Sequence, residues 1–195
     1  MIRLRRWAAQ AMPLLFAAGL LAFGYAAYVL IATGSYQHDQ RTRFYHSRKD
    51  TQLQPDPVSI IPPEGETIGE ISIERLGLSA MVMQGESETV LRHAVGHLAD
   101  TALPGEVGNV VLAGHRDGFF RPLKNVRVGD AITIKTRTRE FQYVVESTSV
   151  VPPSDISVLE PGDGRILTLI TCFPFVFIGS APDRFIVRAR PSLPQ

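Results

Sequence analysis

Cysteine is nearly absent from this chain: Cys172 is the only one in 195 residues. A lone thiol forms no internal disulfide, so it is either buried and inert or kept free for chemistry. Excess charge of one sign is also missing. Against 19 acidic residues stand 20 Lys and Arg, a formal net charge of +1, and no basic stripe is interleaved with aromatics, so nothing points to a nucleic-acid partner. Internal repeats and low-complexity tracts are lacking beyond Thr67, which makes one domain the economical count there. Clustered metal ligands are lacking too. His93 and His97 stand four apart on a possible helix, but Gly96 weakens that helix and no third ligand has a fitting spacing. The carboxylates Asp117, Asp155, Glu160 and Asp163 are dispersed rather than spaced as a calcium loop. Neither a metal nor a cofactor is expected.

What the chain does have is one long apolar run. Arg3, Arg5 and Arg6 precede Ala11 to Ala32, about 22 residues without a charged side chain and long enough to cross a bilayer as one helix. A cleavable signal peptide has a shorter apolar core, so an uncleaved anchor is the better reading, although Ala26-Ala27 and Ala32-Thr33-Gly34 offer small residues for a cut. The early arginines place the N-terminus in the cytoplasm, with Arg41, Arg43, Arg48 and Lys49 weakening the bias. The expected location is therefore the cytoplasmic membrane, single-pass, with the bulk of the chain on the extracytoplasmic side.

Three segments follow from this. Residues 1–33 read as tail and transmembrane anchor. Residues 34–66 read as a polar, proline-rich stalk, in which Tyr36 to Gln54 could continue the helix and Pro55, Pro57, Pro62 and Pro63 cannot sit in one. Residues 67–192 have the size of a compact domain, and removing Met1 to Ile61 is expected to leave it soluble, folded and active.

That domain reads as strands. Ile68–Ile73 alternates apolar and polar, Val110–Ala113 is a short apolar run, and Ala131–Thr136, Phe141–Val145, Ile166–Thr171 and Phe185–Val187 are rich in β-branched or aromatic residues. Turn chemistry separates them at Val128-Gly129-Asp130, Arg137–Glu140 and Pro161–Gly164. Helix is expected only at Glu88–Ala94, capped by Ser87, and in one turn near Ser154–Leu159. The fold class is all-β, a barrel with short helices.

Three residues stand at strand ends, where packing does not require them. His115 follows Val110–Gly114, Cys172 follows Leu167–Thr171, and Arg184 opens the last strand. Cysteine catalysis needs a thiolate, a proton donor and acceptor, and a donor aimed at the developing oxyanion. Cys172, His115 and Arg184 supply one residue type for each. Arg188 and Arg190 share the alternation of Arg184 and compete for its role, but Arg184 lies nearest the strand edge that carries the cysteine and is preferred; His38 and His46 lie too close to the membrane segment to compete with His115.

With these residues in view, the chain resembles a sortase, the membrane-anchored cysteine transpeptidase of bacteria. The likeness covers roughly Ile68 to Pro191. Thr168-Leu169-Ile170-Thr171-Cys172 resembles the family's TLxTC signature, and Asn109 to Arg116 resembles the segment carrying its histidine. Gly96–Gly105 and Cys172-Phe173-Pro174-Phe175 look most like class D. The resemblance implies a closed sortase β-barrel. It also implies attack by Cys172 on the Thr carbonyl of an LPxTG-like C-terminal sorting motif, then transfer of the thioacyl group to an amine of a peptidoglycan precursor or a pilin lysine. His115 would act as acid and base, Arg184 would stabilise the oxyanion, Thr171 would orient the site, and Phe173–Phe177 would wall the Leu-Pro part of the substrate. An L,D-transpeptidase would carry its histidine shortly before the cysteine, and no histidine follows His115. The remaining rival is a membrane-tethered barrel that binds peptide without chemistry, with Cys172 structural.

Overall fold

The apolar run becomes part of a single helix. In the computed structural model, which describes residues 2–51, 61–177 and 179–192, α1 spans Ile2–Thr51. Pro55 and Pro57 lie outside the described residues. The chain divides into two compact units, Met1–His38 and Asp39–Gln195. In the first, Leu15, Phe16, Leu20, Leu21 and Phe23 are all exposed. A helix that is apolar on every face and covered by no protein suits a bilayer interior, and Leu15–Ser47 is long and apolar enough to be a candidate span.

The second unit begins with the last turns of α1, inside the stretch read as a stalk. Phe44 is buried there. Gln40 accepts a hydrogen bond from Thr67 at 2.9 Å, and the buried Glu70 carboxylate accepts from Tyr45 at 2.7 Å, Ser79 at 2.6 Å and Arg41 at 2.6 Å. A buried carboxylate is tolerated only with such partners, and two of its three come from α1. A fragment beginning at Asp39 is therefore expected to melt about 10 °C above one beginning at Pro62. That difference corresponds to about 3 kcal/mol for Phe44 alone. Equal melting temperatures would show that α1 adds nothing to the barrel.

Eight strands close the barrel: β1 (Thr67–Ile73), β2 (Leu78–Gln84), β3 (Val95–His97), β4 (Gly108–Ala113), β5 (Ala131–Thr136), β6 (Glu140–Val151), β7 (Arg165–Phe173) and β8 (Asp183–Pro191). Their order around it is β1-β2-β3-β4-β7-β8-β6-β5. Closure removes every free edge. One phase of the strand alternation fills the interior: Ile71 and Ile73, Val110 and Leu112, Ile132 and Ile134, Leu167 and Leu169, Val187 and Ala189 all belong to one core cluster. The other phase faces outward, and on β7 and β8 it carries Thr168, Cys172, Arg184 and Arg188.

The six strands expected from the sequence are present, several of them longer than their patterns suggested. Helix α2 (Glu88–His93) starts at Ser87, whose Oγ accepts from the Val90 amide at 3.4 Å. The turn expected near Ser154–Leu159 is a 3-10 helix at Ser157–Leu159. Strands β2 and β3 went unread. Leu78–Gln84 is buried at six of its seven positions and so shows no alternation, and Val95–His97 is too short to show any period. Two further 3-10 helices, Glu74–Leu76 and Arg121–Asn125, were also not anticipated.

His97, considered above as a metal ligand, is instead a buried strut. Its Nε2 lies 2.9 Å from the Ala102 carbonyl and 3.2 Å from the Thr101 hydroxyl, and its Nδ1 lies 2.9 Å from the Gln84 carboxamide. Burial holds its pKa below the ordinary histidine value, against the opposing pull of the Ala102 carbonyl. In the unfolded chain this histidine takes up a proton near pH 6.5, whereas the folded one resists. Lowering the pH below about 6.5 therefore favours unfolding. The melting temperature should fall between pH 7 and pH 5 and fall less steeply in His97→Gln; equal slopes would overturn this assignment.

Candidate active site

The chemistry-bearing residues meet because two strands run parallel. β4 and β7 pair in parallel from Gly108↔Arg165 to Ala113↔Ile170, so both chains leave the sheet at the same end. Hairpins do not do this; a parallel pair needs a long crossover, here the connection that carries β5 and β6. Past Ala113 the register continues, with the Gly114 amide donating to the Ile170 carbonyl at 3.1 Å. His115 thus comes level with the end of β7. On the other side β7 and β8 are antiparallel, with Cys172 and Arg184 directly opposite each other. Directly opposed residues in such a pair project from the same face with Cβ atoms about 5 Å apart. The structure brings His115, Cys172 and Arg184 to one end of the barrel, with Cys172 and Arg184 on the same face of the β7–β8 pair.

Arg188 and Arg190 are not at this end. Arg188 pairs with Thr168, four residues along β7 from Cys172, and its Nη2 reaches the Val158 carbonyl at 3.5 Å. Arg190 forms an exposed ion pair with Glu146 at 2.8 Å.

Local packing explains why the histidine segment turns where it does. A Cβ on Gly114 would lie 2.8 Å from the Phe120 ring, so glycine at this position lets the fully buried Phe120 press against the backbone just before His115. The Phe120 amide returns to the His115 carbonyl at 3.3 Å. Between the two strands, the buried Thr171 hydroxyl donates to the Gly114 carbonyl at 2.7 Å. This bond ties the residue before the cysteine to the residue before the histidine.

The side chains themselves are left free to react. His115, Cys172 and Arg184 are each partly buried, and neither the imidazole nor the thiol makes a hydrogen bond among the described residues. Among the described residues Arg184 uses only Nη1, donating to the Asp183 carbonyl at 3.0 Å and the Ala181 carbonyl at 3.5 Å. Its Nε and Nη2 remain available to an incoming carbonyl. The guanidinium is a fixed cation with a planar fork of donors, the form that a developing oxyanion calls for.

Two connections flank this face. The one between β6 and β7 is fastened by Asn109, buried on β4: its Nδ2 donates to the carbonyls of Val158 at 2.9 Å and Glu160 at 3.1 Å, while its Oδ1 accepts from the Thr168 hydroxyl at 2.7 Å. The β7–β8 connection holds the phenylalanines suggested as a wall, and they divide by role. Phe173 stacks on Phe185, and Phe175 meets both edge to face, with ring centroids 5.3–6.3 Å apart; Phe175 also packs on the core. Val176 and Phe177 are exposed. Asn109 and Arg116 stood inside a motif with no role given to them. Arg116 donates to the carbonyls of Pro174, Phe177 and Gly179 in the β7–β8 connection. The acceptors of both residues are backbone carbonyls about 50 to 60 residues away, which no residue-type pattern marks.

Among the described residues no three His, Cys, Asp or Glu side chains are grouped to hold a metal ion. Asp155 instead accepts from the Ser157 amide at 3.1 Å and the Ser157 hydroxyl at 2.6 Å.

Comparison with known proteins shows the family and the fold. The family model of the sortase domain matches residues 71–192. Sortase D of Bacillus subtilis is 28% identical over 184 residues, covering 89% of this chain and 93% of that protein. Among solved structures, the Sortase D5 transpeptidase of Clostridium perfringens superposes with a TM-score of 0.65 at 30% identity, over 82% of this chain and 97% of that one. The sortase SrtA of Actinomyces oris gives 0.64 at 29% identity, over 72% and 88%.

Proposed function

The chain belongs to the sortase family of cysteine transpeptidases, and from that premise we propose that it is a membrane-anchored enzyme in which Cys172, His115 and Arg184 carry the reaction. The observation that carries this reading is the direct register of Cys172 against Arg184, with His115 brought alongside by the parallel β4–β7 pair.

In this mechanism the Cys172 thiolate attacks the carbonyl carbon of the Thr in an LPxTG-like C-terminal motif. A C–S bond forms, and the oxyanion is held by the free donors of Arg184. The C–N bond breaks as His115 gives its proton to the leaving amine, which leaves a thioacyl-enzyme. An incoming amine, from a peptidoglycan precursor or a pilin lysine, loses a proton to His115 and attacks the thioester carbonyl. The thiolate leaves and a new amide remains. No step calls for a metal or cofactor.

The domain plan accompanies this reading. The apolar part of α1 anchors the protein in the cytoplasmic membrane, and residues 67–192 do the chemistry on the extracytoplasmic side. The candidate span supports this plan by length and composition.

The test is incubation of the full chain in detergent with a panel of LPxTG-like peptides, with and without an amine acceptor, followed by intact-mass spectrometry. A thioacyl adduct on Cys172 that an added amine discharges to a new amide is the expected result. No adduct with any peptide, together with a thiol that resists alkylation in the folded protein, would favour the peptide-binding barrel instead.

A further inference from the structure

A pocket outside the machinery described so far has a volume of about 520 Å³ and is lined by Arg75, Leu76, Lys124, Asn125, Val126 and Arg127. That volume falls among those of small-molecule sites. Its lining includes three cations and no carboxylate; Glu74, beside Arg75 in the chain, does not line it.

Arg75 is already fixed in place. Its Nε and Nη2 donate to the two oxygens of the buried Asp130 carboxylate at 2.5 and 2.6 Å, and Nη2 also donates to the Asn125 carbonyl at 2.7 Å. Asp130 accepts from the Arg127 amide as well, at 2.8 Å. The bidentate pair cancels one charge of each sign and leaves Nη1 of Arg75 without a partner among the described residues. Lys124 and Arg127 are exposed, and neither side chain makes a hydrogen bond or an ion pair among the described residues. Two unpaired positive charges thus stand beside a guanidinium with a spare donor.

Topology says where this pocket lies. β1 and β5 are antiparallel, with Ser72 against Thr133, so the 3-10 helix after β1 and the connection entering β5 share one end of the barrel. β1 is antiparallel to β2, β2 parallel to β3, and β3 antiparallel to β4, so β1 and β4 run the same way. The pocket is therefore at the end that carries His115 and Cys172, and Lys124–Arg127 belongs to the connection that His115 opens.

We propose that this pocket binds a phosphate or pyrophosphate group. A tetrahedral oxyanion offers several oxygens to donors arriving from different elements, whereas one carboxylate is satisfied by one guanidinium, as Asp130 is here. Arginine supplies a planar fork and lysine a mobile point charge. Arg75, held by Asp130, needs no further ordering when a ligand arrives. The site does not depend on the sortase reading, because none of its lining residues has a part in acyl transfer. A lipid headgroup and a soluble phosphate share this chemistry, and the test separates them.

Calorimetric titration of the full chain in an uncharged detergent decides the matter, with ionic strength held at about 0.15 M so that screening is constant. Sodium pyrophosphate should bind wild type with a Kd below about 1 mM, and acetate should give no saturable heat up to about 10 mM. Lys124→Gln/Arg127→Gln should weaken pyrophosphate about tenfold, and Lys124→Gln alone about threefold. Both positions are exposed, so the melting temperature should move by no more than about 2 °C. Arg137→Gln/Arg139→Gln removes the same charge beyond Thr136, which lies against Gly69 at the other end of β1, and should leave Kd within twofold.

Equal weakening in the two double variants would show that only the overall field is felt and would overturn the pocket. Absence of saturable pyrophosphate binding to wild type would overturn it too, as would acetate binding as tightly. Displacement of pyrophosphate names the source of the phosphate: a short-chain phosphatidic acid that competes at about a tenth of the concentration needed for inorganic phosphate assigns the pocket to a lipid headgroup, and any other order assigns it to a soluble phosphate.

Discussion

Cys172→Ala is expected to abolish the thioacyl adduct and lower transpeptidation by at least ~10⁴-fold, with the fold intact. Amide carbonyls are poor electrophiles, and covalent catalysis splits a difficult displacement into two easier ones; without the thiolate the route is lost. Cys172→Ser should be nearly as inactive, because a hydroxyl next to the same histidine is a far weaker nucleophile at neutral pH than a thiol. Stability gives the control. Cys172 is partly exposed near the end of β7, so removing its sulfur leaves no large cavity, and the melting temperature should move by no more than about 2 °C. The non-enzymatic barrel gives the opposite expectation: Cys172→Ala would leave substrate processing untouched. Adduct mass and melting temperature, measured on the same sample, separate loss of chemistry from loss of fold.

The second large effect is expected at His115. His115→Asn should lower kcat/KM for peptide substrates by roughly 10²–10⁴-fold, the usual span for a positioned general acid and base. The amine expelled from the tetrahedral intermediate is a very poor leaving group unless it is protonated as the C–N bond breaks. A matched ester of the same motif expels an alcohol and depends far less on that proton. His115→Asn should therefore lose much less activity on the ester than on the peptide, and this ratio distinguishes proton transfer from a purely structural role. Equal losses on both would mean that the histidine shapes the site rather than donating a proton. The imidazole has no hydrogen-bond partner among the described residues, so no described carboxylate orients it. Its placement comes from the backbone, through Gly114 against Phe120 and Thr171 against the Gly114 carbonyl.

Both expectations depend on register, and register was only partly legible beforehand. Alternation, a short apolar run and β-branched or aromatic composition together gave six of the eight strands. They failed on β2, which is buried on both faces, and on β3, which has three residues. The site residues stood out for a different reason: a histidine, a cysteine and an arginine each at the end of an apolar run are chemically conspicuous. Arg184 was preferred to Arg188 and Arg190 as lying nearest the strand edge that carries the cysteine, and the register puts Arg184 directly opposite Cys172. All three share one phase of the same strand, so phase alone does not separate them.

By itself the sequence determined whatever depends on neighbours along the chain: an apolar run long enough to span a bilayer, strands with a buried face, the capped turn at Ser87, and the motif residues that point to cysteine acyl transfer. Tertiary structure alone decided that β4 and β7 lie in parallel, that Cys172 faces Arg184, that residues 39–47 of α1 satisfy the buried Glu70, and that Arg116 and Asn109 hold the connections beside the site. The physical reason is the nature of the acceptors. Every residue carries a backbone carbonyl, so the partners of Arg116 and Asn109 have no distinguishing residue type, and only closure of the barrel brings them within reach.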